Sequence, residues 1–177
     1  MIYFDNAATT KCSGEVLDIY NMYASDYFYN PSTLYTQGVN VKRDINRARA
    51  NILSLFNASP LDNLIFTSGG TESNVTALLG SKKKPHSKII ISESEHNSVH
   101  QTAMELKNRG YEVVLAPVDS NGLVDIGAFT KLLSKNVALV SIIHVNNETG
   151  GINNINKLAE ITKLVSKDII FHSDGVQ

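Results

Sequence analysis

Short apolar segments of strand length alternate with helical segments along most of this chain, and this alternation limits the possible folds more than any other feature. The apolar segments are rich in branched side chains, and the segments between them have helical periodicity. Such alternation predicts crossover units in an α/β layer fold, around a mostly parallel sheet that is buried on both faces. The predicted strands are Asn63–Thr67, Lys88–Ser92, Glu112–Ala116, Ala138–Val145 and Asp168–His172, and the predicted helices between them are Thr71–Leu79, Asn97–Asn108, Ile126–Leu133 and Ile155–Val165.

An extended N-terminal arm and two predicted helices precede this alternation. Ser13 is predicted to cap a helix that runs to about Ala24. A turn is predicted at residues 30–32, because Pro31 restricts the residue before it and Ser32 has a hydroxyl that can cap the next helix. This second helix, Leu34–Phe56, carries an apolar stripe made of Val41, Ile45, Ala48, Ile52 and Phe56.

The composition is that of a globular protein, with 42% hydrophobic and 19% charged residues among 177. The net charge is −1, and the basic run Lys82–Lys84 lies beside glycine, serine and proline, which indicates a solvated loop and not a nucleic-acid surface. Cys12 is the only cysteine, so neither a disulfide within the chain nor a cysteine metal cage is expected. Without a signal-peptide pattern or an apolar segment long enough to cross a bilayer, we expect a soluble protein of the reducing cytoplasm.

Polar residues follow four of the five predicted strands, at the edge of the sheet where such folds bind ligands. The segment from Gly69 to Thr71 joins a strand to a helix. Glycine lets a ligand approach the backbone and a helix N-terminus attracts anions, so a phosphate site is predicted, although a tight turn capped by Thr71 explains the segment equally well. The dinucleotide fingerprint and the lysine-containing P-loop are both absent, so a nucleotide is not the first candidate.

His96 and Asp174 each allow more than one interpretation. His96 begins a helix, so it is a helix cap, a surface group or a flat ring that faces a planar ligand. His96 and His100 could also share a metal ion, but no third ligand lies nearby in the sequence. Asp174 follows a strand, where a carboxylate is costly unless it is paired. Its partner is either a protonated pyridine nitrogen or the N-terminus of a helix. Taken together, the polar segments favour an aromatic cofactor that carries a phosphate group.

Six segments carry a family resemblance, in order and with matching spacing: Tyr3–Thr10, Asn30–Ser32, Thr67–Asn74, Glu95–His96, His144–Gly150 and His172–Asp174. They resemble the NifS-type cysteine desulfurases, members of the class V aminotransferase group of fold-type-I pyridoxal-phosphate enzymes. The resemblance implies a three-layer α/β/α large domain at residues 15–177, incomplete at its C-terminal end. It also implies that residues 1–14 form an arm, which in the family belongs to the small domain and the site entrance.

The resemblance implies that five residues hold pyridoxal 5'-phosphate. Gly70 and Thr71 would bind its phosphate. His96 would stack on its ring and assist proton transfer. Asp174 would pair with the ring nitrogen, and Gln177 would bind the phenolic oxygen.

Four further residues are implied on the substrate side. Asn147 would lie beside the phenolic oxygen and the substrate carboxylate, and Asn6, Ala7 and Thr9 lie in the arm that folds back toward the substrate. Members of the family take sulfur from L-cysteine, leave alanine and a persulfide on a loop cysteine, and pass the sulfur to an acceptor protein for iron–sulfur clusters or tRNA thiolation. The family precedent is a homodimer, with no nucleic-acid, membrane or metal partner implied.

The chain departs from the family pattern in three places. Tyr35 stands where the family usually has histidine, and Cys12 does not match the position of the persulfide cysteine. The match also stops before the family's Ser-x-His-Lys segment, whose lysine holds the cofactor covalently. We therefore expect the cofactor to bind residues 1–177 without a covalent bond at best, and we expect no turnover by this chain alone. Production of alanine and sulfide from L-cysteine would contradict this expectation.

The resemblance also bears on strand pairing. In the family's strand order, Asn63–Thr67 is separated from the other four strands by two later strands, so its backbone groups would lack ladder partners. The isolated chain is thus expected to be unstable, rearranged or completed by a second polypeptide. Alternatives are a selenocysteine lyase or another class V enzyme, a non-catalytic remnant that binds a partner, and an α/β domain for another phosphate compound. The DNA after the codon for Gln177 would distinguish a shortened enzyme from a remnant.

Overall fold

The computed structural model describes residues 2–81 and 83–177, which form two compact units, Met1–Phe66 and Thr67–Gln177. Lys82, part of the predicted basic loop, lies outside the described residues. The next residue, Lys83, is not simply solvated as predicted. Its Nζ donates hydrogen bonds to the carbonyl oxygens of Leu78 and Ser81, because the last carbonyl groups of a helix have no partner within the helix.

The first unit contains helices α1 (Gly14–Ser25) and α2 (Thr36–Leu55), close to their predicted positions. The Ser13 hydroxyl caps α1 as predicted, by accepting a hydrogen bond from the Val16 N–H at 3.4 Å. Ser32 does not cap α2, since Tyr35 occupies the N-cap position without a side-chain hydrogen bond.

The predicted turn at residues 30–32 forms, and the Asn30 carboxamide oxygen accepts from the Ser32 N–H at 2.8 Å. The predicted apolar stripe of α2 is partly wrong, because Val41 is buried whereas Phe56 lies past the end of the helix with 78% of its surface exposed. Among the described helices, none is both long and apolar enough to cross a membrane.

The second unit contains the sheet. Its elements, in chain order, are α3 (Gly70–Gly80), β1 (Lys88–Ser92), α4 (Asn97–Asn108), β2 (Glu112–Ala116), α5 (Ile126–Leu132), β3 (Val137–Ser141), α6 (Ile155–Val165) and β4 (Ile170–His172). Within the described part of the chain, the four strands form one sheet in the order β2-β1-β3-β4, and every neighbouring pair is parallel. This confirms the predicted parallel sheet.

Alternating side chains of the strands divide the core into two apolar layers. Ile90 and its neighbours on the same face pack with Phe129 of α5 and Leu158 of α6. Ile89 and Ile91 point to the opposite face and pack with residues of α3 and α4. The second unit is therefore a three-layer α/β/α structure, in which burial on both faces explains the nearly continuous apolar strands.

Two strand predictions are corrected by the structure. Asn63–Thr67 is not a strand, and no pair of the described sheet includes it. Its sequence favours an extended backbone, but a strand also needs a neighbouring strand to supply ladder hydrogen bonds. Strand β3 ends at Ser141 instead of Val145, because its partner β4 ends at His172. Beyond this point the His144 N–H donates to the backbone oxygen of Asp174, which lies outside β4.

Candidate active site at the carboxyl ends of the strands

The carboxyl ends of β1, β3 and β4 lie at one edge of the sheet, because the three strands run in the same direction. Residues 93–97, 142–151 and 173–177 follow these strands. Together with the first turn of α3, they form what we call the candidate site. It contains the five residues predicted to hold the cofactor, namely Gly70, Thr71, His96, Asp174 and Gln177, together with Asn147.

Helix α3 begins at Gly70, directly after the N-cap residue Gly69. The N–H groups of Gly70 and Thr71 therefore have no acceptor within the helix, and the helix dipole favours an anion in front of them. Beside them, a carboxylate oxygen of Glu72 accepts from the Ser68 hydroxyl at 2.5 Å and from the Ser68 N–H at 2.6 Å. These two hydrogen bonds lower the pKa of Glu72 and close one side of the turn.

A close contact joins the start of α3 to the loop after β4. A Cβ atom added at Gly70 would lie 2.6 Å from Cγ2 of Val176, which is closer than carbon atoms approach in proteins. A larger residue at this position requires the Val176 side chain or its loop to shift, so packing favours glycine here, as does any ligand that approaches the backbone. The contact brings the predicted phosphate-binding turn next to the loop that carries Asp174.

Asp174 is buried, with 5% of its surface exposed, and both of its carboxylate oxygens accept a hydrogen bond. Oδ1 accepts from the Val176 N–H at 3.0 Å, and Oδ2 accepts from the side-chain amide of Asn74 at 2.8 Å. The described residues after Asp174 are 175–177 and contain no helix, so the alternative that it caps a helix stays a prediction. The carboxylate retains acceptor capacity for a further donor, such as a protonated ring nitrogen.

A chain of hydrogen bonds runs from Asp174 to His96 through buried side chains. The Asn74 amide nitrogen, which bonds Asp174, also donates to the Ser98 hydroxyl oxygen at 2.9 Å. The Ser98 hydroxyl lies 2.8 Å from Nδ1 of His96. The Ser98 hydroxyl oxygen accepts from the amide, which has hydrogens only to donate. Two predicted cofactor contacts, His96 and Asp174, are therefore connected through α3, the helix that begins at Gly70.

His96 is the N-cap of α4, which was one of its predicted interpretations. Its Nδ1 accepts from the Ser98 backbone N–H at 3.1 Å. With Nδ1 used as an acceptor, the proton of the neutral ring lies on Nε2. The cap leaves His96 exposed, so it is compatible with stacking on a planar ligand. His100, its predicted metal-sharing partner, places Nε2 3.3 Å from the Glu93 backbone oxygen, and the described residues contain no cluster of three metal ligands.

Asn147 lies on a turn that its neighbour Asn146 organises. The Asn146 side chain accepts from the N–H groups of Glu148 and Thr149 at 2.9 and 2.8 Å and donates to the Ser94 backbone oxygen at 2.8 Å. Asn147 is thereby exposed on the outside of the turn. Together with His96 it lines a cavity of about 440 Å³. The structure thus places these two predicted residues on one cavity.

Glu95 is a second buried carboxyl at this edge, with 7% of its surface exposed. Its Oε1 accepts from the Ile143 N–H at 2.6 Å. Burial raises the pKa of Glu95 to about 7, the nearby charge of Asp174 adds to this rise, and the hydrogen bond from Ile143 opposes it. Beyond the end of β1, this carboxyl group accepts a hydrogen bond that a backbone carbonyl oxygen would accept within a sheet. It thereby holds the residues around His96 in place.

Comparison with known proteins gives the family. The family model described as aminotransferase class V matches residues 2–177. This chain belongs to the class-V aminotransferase family. A cysteine desulfurase IscS from Dictyoglomus turgidum is 40% identical over 181 aligned residues, which cover 99% of this chain and 45% of that protein. The chain therefore spans about half the length of the curated relatives that it matches.

Solved structures agree with the fold of this class-V aminotransferase chain. A NifS-like protein superposes with a TM-score of 0.91 at 32% identity, over 99% of this chain and 49% of the other. A structure of SspA in complex with cysteine superposes with a TM-score of 0.87 at 31% identity, over 98% of this chain and 50% of the other. The family implies pyridoxal phosphate as cofactor. The residues at the candidate site suit it, since they offer an anion site, a buried carboxylate and an exposed imidazole.

Four predicted residues of the class-V chain do not belong to the hydrogen bonds described above. Asn6, Ala7 and Thr9 lie in the first unit, in an exposed turn that Tyr3 holds through hydrogen bonds from its hydroxyl group to the backbone oxygens of Asp5 and Thr9. Gln177 is exposed in the loop after β4. The roles of these four residues stay predictions.

Two residues of the buried network, Asn74 and Ser98, received no role from the sequence. Asn74 belongs to the segment Thr67–Asn74, which carries the family resemblance. It also lies one helical turn before Leu78, a fully buried apolar residue. A polar residue on the apolar side of a helix is the signal that could have indicated it. Ser98 offered no such signal, because serine is common near a helix start whatever it contacts.

Proposed function

We propose that this chain supplies the cofactor site of a pyridoxal-phosphate-dependent cysteine desulfurase. The observation that carries the proposal is the buried connection between Asp174, α3 and His96, since a ring with a phosphate group and a basic nitrogen requires a carboxylate, an anion site and a flat neighbour together. The curated relatives at this similarity are named cysteine desulfurases, and one structural neighbour was solved with cysteine. L-Cysteine is accordingly the proposed substrate.

Each residue has a chemical task in this proposal. The N–H groups of Gly70 and Thr71 bind the phosphate. The carboxylate of Asp174 would pair with the ring nitrogen and hold a proton there, and the bound cofactor would supply an electron-withdrawing ring. The ring of His96 covers the cofactor ring, and its Nε2 moves a proton at the reacting atoms.

The remaining predicted residues act on the substrate side. Asn147 would lie beside the phenolic oxygen of the cofactor and the substrate carboxylate, and Gln177 would donate to that phenolic oxygen. Asn6, Ala7 and Thr9 would approach the substrate from the N-terminal arm. None of the 177 residues matches the family's cofactor lysine or persulfide cysteine, so the complete reaction requires groups beyond this chain. The proposed products are L-alanine and a protein-bound persulfide. The complete protein is proposed to be a cytoplasmic homodimer that passes the persulfide sulfur to a sulfur-acceptor protein.

The test uses the protein made from the whole reading frame that contains these residues. We expect it to bind pyridoxal 5'-phosphate and, with a dithiol present to reduce the persulfide, to form alanine and sulfide from L-cysteine in equal amounts. Asp174→Asn should lower turnover by about 100-fold, because a charged partner of the ring nitrogen is replaced by a neutral one. Asp168→Asn, which changes an exposed carboxylate outside the candidate site, should leave turnover unchanged.

Either of two results contradicts the proposal: no alanine from L-cysteine, or full turnover by the Asp174→Asn variant. Assays with L-selenocysteine run in parallel. Turnover of L-selenocysteine without turnover of L-cysteine would assign the protein to the selenocysteine lyases.

A further inference from the structure

Asn74 occupies an unusual place for an amide side chain. It lies inside α3 with 3% of its surface exposed, on the side of the helix that packs into the core. A buried amide is costly unless its hydrogen bonds are satisfied. Both hydrogens of its nitrogen are used, one by Asp174 at 2.8 Å and one by Ser98 at 2.9 Å. The residue therefore joins two elements of the candidate site.

The orientation of the amide is fixed by chemistry. If the amide group were rotated by 180°, its oxygen would lie against the Asp174 carboxylate. Two acceptors would then face each other without a hydrogen between them. The observed orientation places the nitrogen there instead. The Asn74 side chain is thus committed to donate to the carboxylate.

The carboxylate of Asp174 is held from two sides. The Val176 N–H, in the same loop, binds Oδ1, and Asn74, from a helix one hundred residues earlier in the chain, binds Oδ2. Two donors on two oxygens fix the plane of a carboxylate, whereas the loop donor alone leaves it able to rotate. Only Asn74 ties this plane to the helix whose N-terminus faces the predicted phosphate.

We propose that Asn74 is a positioning residue, which aims the carboxylate of Asp174 at the ring nitrogen of the cofactor and sets its direction relative to the phosphate-binding end of α3. The inference rests on the proposed function, since it assigns a role toward the same cofactor. It concerns how strongly the site recognises the ring nitrogen, and it leaves the phosphate contacts of Gly70 and Thr71 untouched.

Two probes measure this recognition directly in the apoprotein made from the whole reading frame. They are pyridoxal 5'-phosphate and its 1-deaza analogue, in which carbon replaces the ring nitrogen. The ratio of their dissociation constants reports only the interaction with that nitrogen. We expect the wild-type protein to prefer the nitrogen-containing probe, and Asn74→Ala to reduce this preference by roughly tenfold, because a misaligned charged partner loses most of a charge-assisted hydrogen bond.

Two controls separate positioning from general damage. Ser98→Ala removes the branch toward His96 and should keep the preference. Asn153→Ala removes another buried amide, 4% exposed, which bonds the backbone of Val124 and Ile143 and does not contact Asp174. It should lower stability without changing the ratio. If Asn74→Ala does not fold, Asn74→Leu, which keeps the volume of the side chain, takes its place.

The possible outcomes are distinct. Equal loss of affinity for both probes in the Asn74 variant would overturn the positioning role and leave only a packing role. Failure of the wild-type protein to bind either probe, or to prefer one of them, would instead contradict the proposed function itself.

Discussion

At the scale of single residues, two buried carboxyl groups at one sheet edge have opposite surroundings. Asp174 accepts a hydrogen bond on each oxygen and so stays suited to a positive partner. Glu95 lies 7% exposed beside the charge of Asp174, and burial raises its pKa to about 7. A buried carboxyl group whose pKa is raised beside a second buried carboxylate is typical of active sites.

Glu95 therefore makes stability depend on pH in a predictable direction. Its pKa is about 7 in the folded protein against an ordinary value of 4.5, so the folded state binds more protons than the unfolded state between these values. Its contribution to stability is complete below pH 4.5 and is lost as the pH rises through about 7. Between pH 5 and pH 8, the free energy of unfolding of the wild-type protein should therefore fall by up to about 3 kcal/mol through Glu95. The Glu95→Gln variant should not show this fall, because glutamine does not titrate.

Urea unfolding of both proteins at the two pH values measures this difference. His172 has the opposite sign, because burial lowers its pKa, but it is present in both proteins and its effect cancels. Glu148→Gln, at an exposed position, changes the same charge and should show little pH-dependent difference. A Glu95→Gln variant whose stability follows wild type at both pH values would contradict the assignment.

At the scale of elements, the candidate site depends on how closely α3 approaches the loop after β4. Gly70→Ala places a methyl group 2.6 Å from Cγ2 of Val176, so the Val176 side chain or its loop must shift. We expect a loss of about 1–3 kcal/mol in the free energy of unfolding, as for other overpacked contacts, together with weaker binding of pyridoxal 5'-phosphate. Denaturant unfolding and fluorescence titration measure the two effects.

A second substitution and a matched glycine test the cause. Val176→Ala in the Gly70→Ala background removes the clashing methyl groups and should restore most of the stability. Gly80→Ala lies at the other end of the same helix, where no atom is within 4 Å, and should be neutral or slightly stabilising. Without rescue by Val176→Ala, the contact would not be the reason for glycine at position 70.

At the scale of the whole molecule, the order of the sheet predicts which backbone groups resist opening. Strands β1 and β3 have partners on both sides and lie between two apolar layers. In the 177-residue chain, hydrogen exchange measured by mass spectrometry should be slowest at Lys88–Ser92 and Val137–Ser141 and fast at residues 63–67, which belong to no strand. Protection of residues 63–67 equal to that of β1 would show that this segment has found a strand partner.

The elements that were predicted well have strong local signals. Helices Asn97–Asn108 and Ile155–Val165 and strands Lys88–Ser92 and Glu112–Ala116 agree with the structure at both ends, because apolar periodicity and adjacent turn residues mark them. The strand predicted at Asn63–Thr67 had the same composition but no partner. Its failure shows that composition favours an extended backbone, whereas pairing makes a strand.

The sequence by itself determined the alternation of strands and helices, the family, and the residues that come after each strand, because these depend on side chains near one another in the chain. Only the tertiary structure decided that Asn74 binds Asp174, one hundred residues away, and that Ser98 connects both to His96. The physical reason is burial. An amide in water has many partners, whereas an amide enclosed between packed elements must bond the particular groups that folding brings beside it.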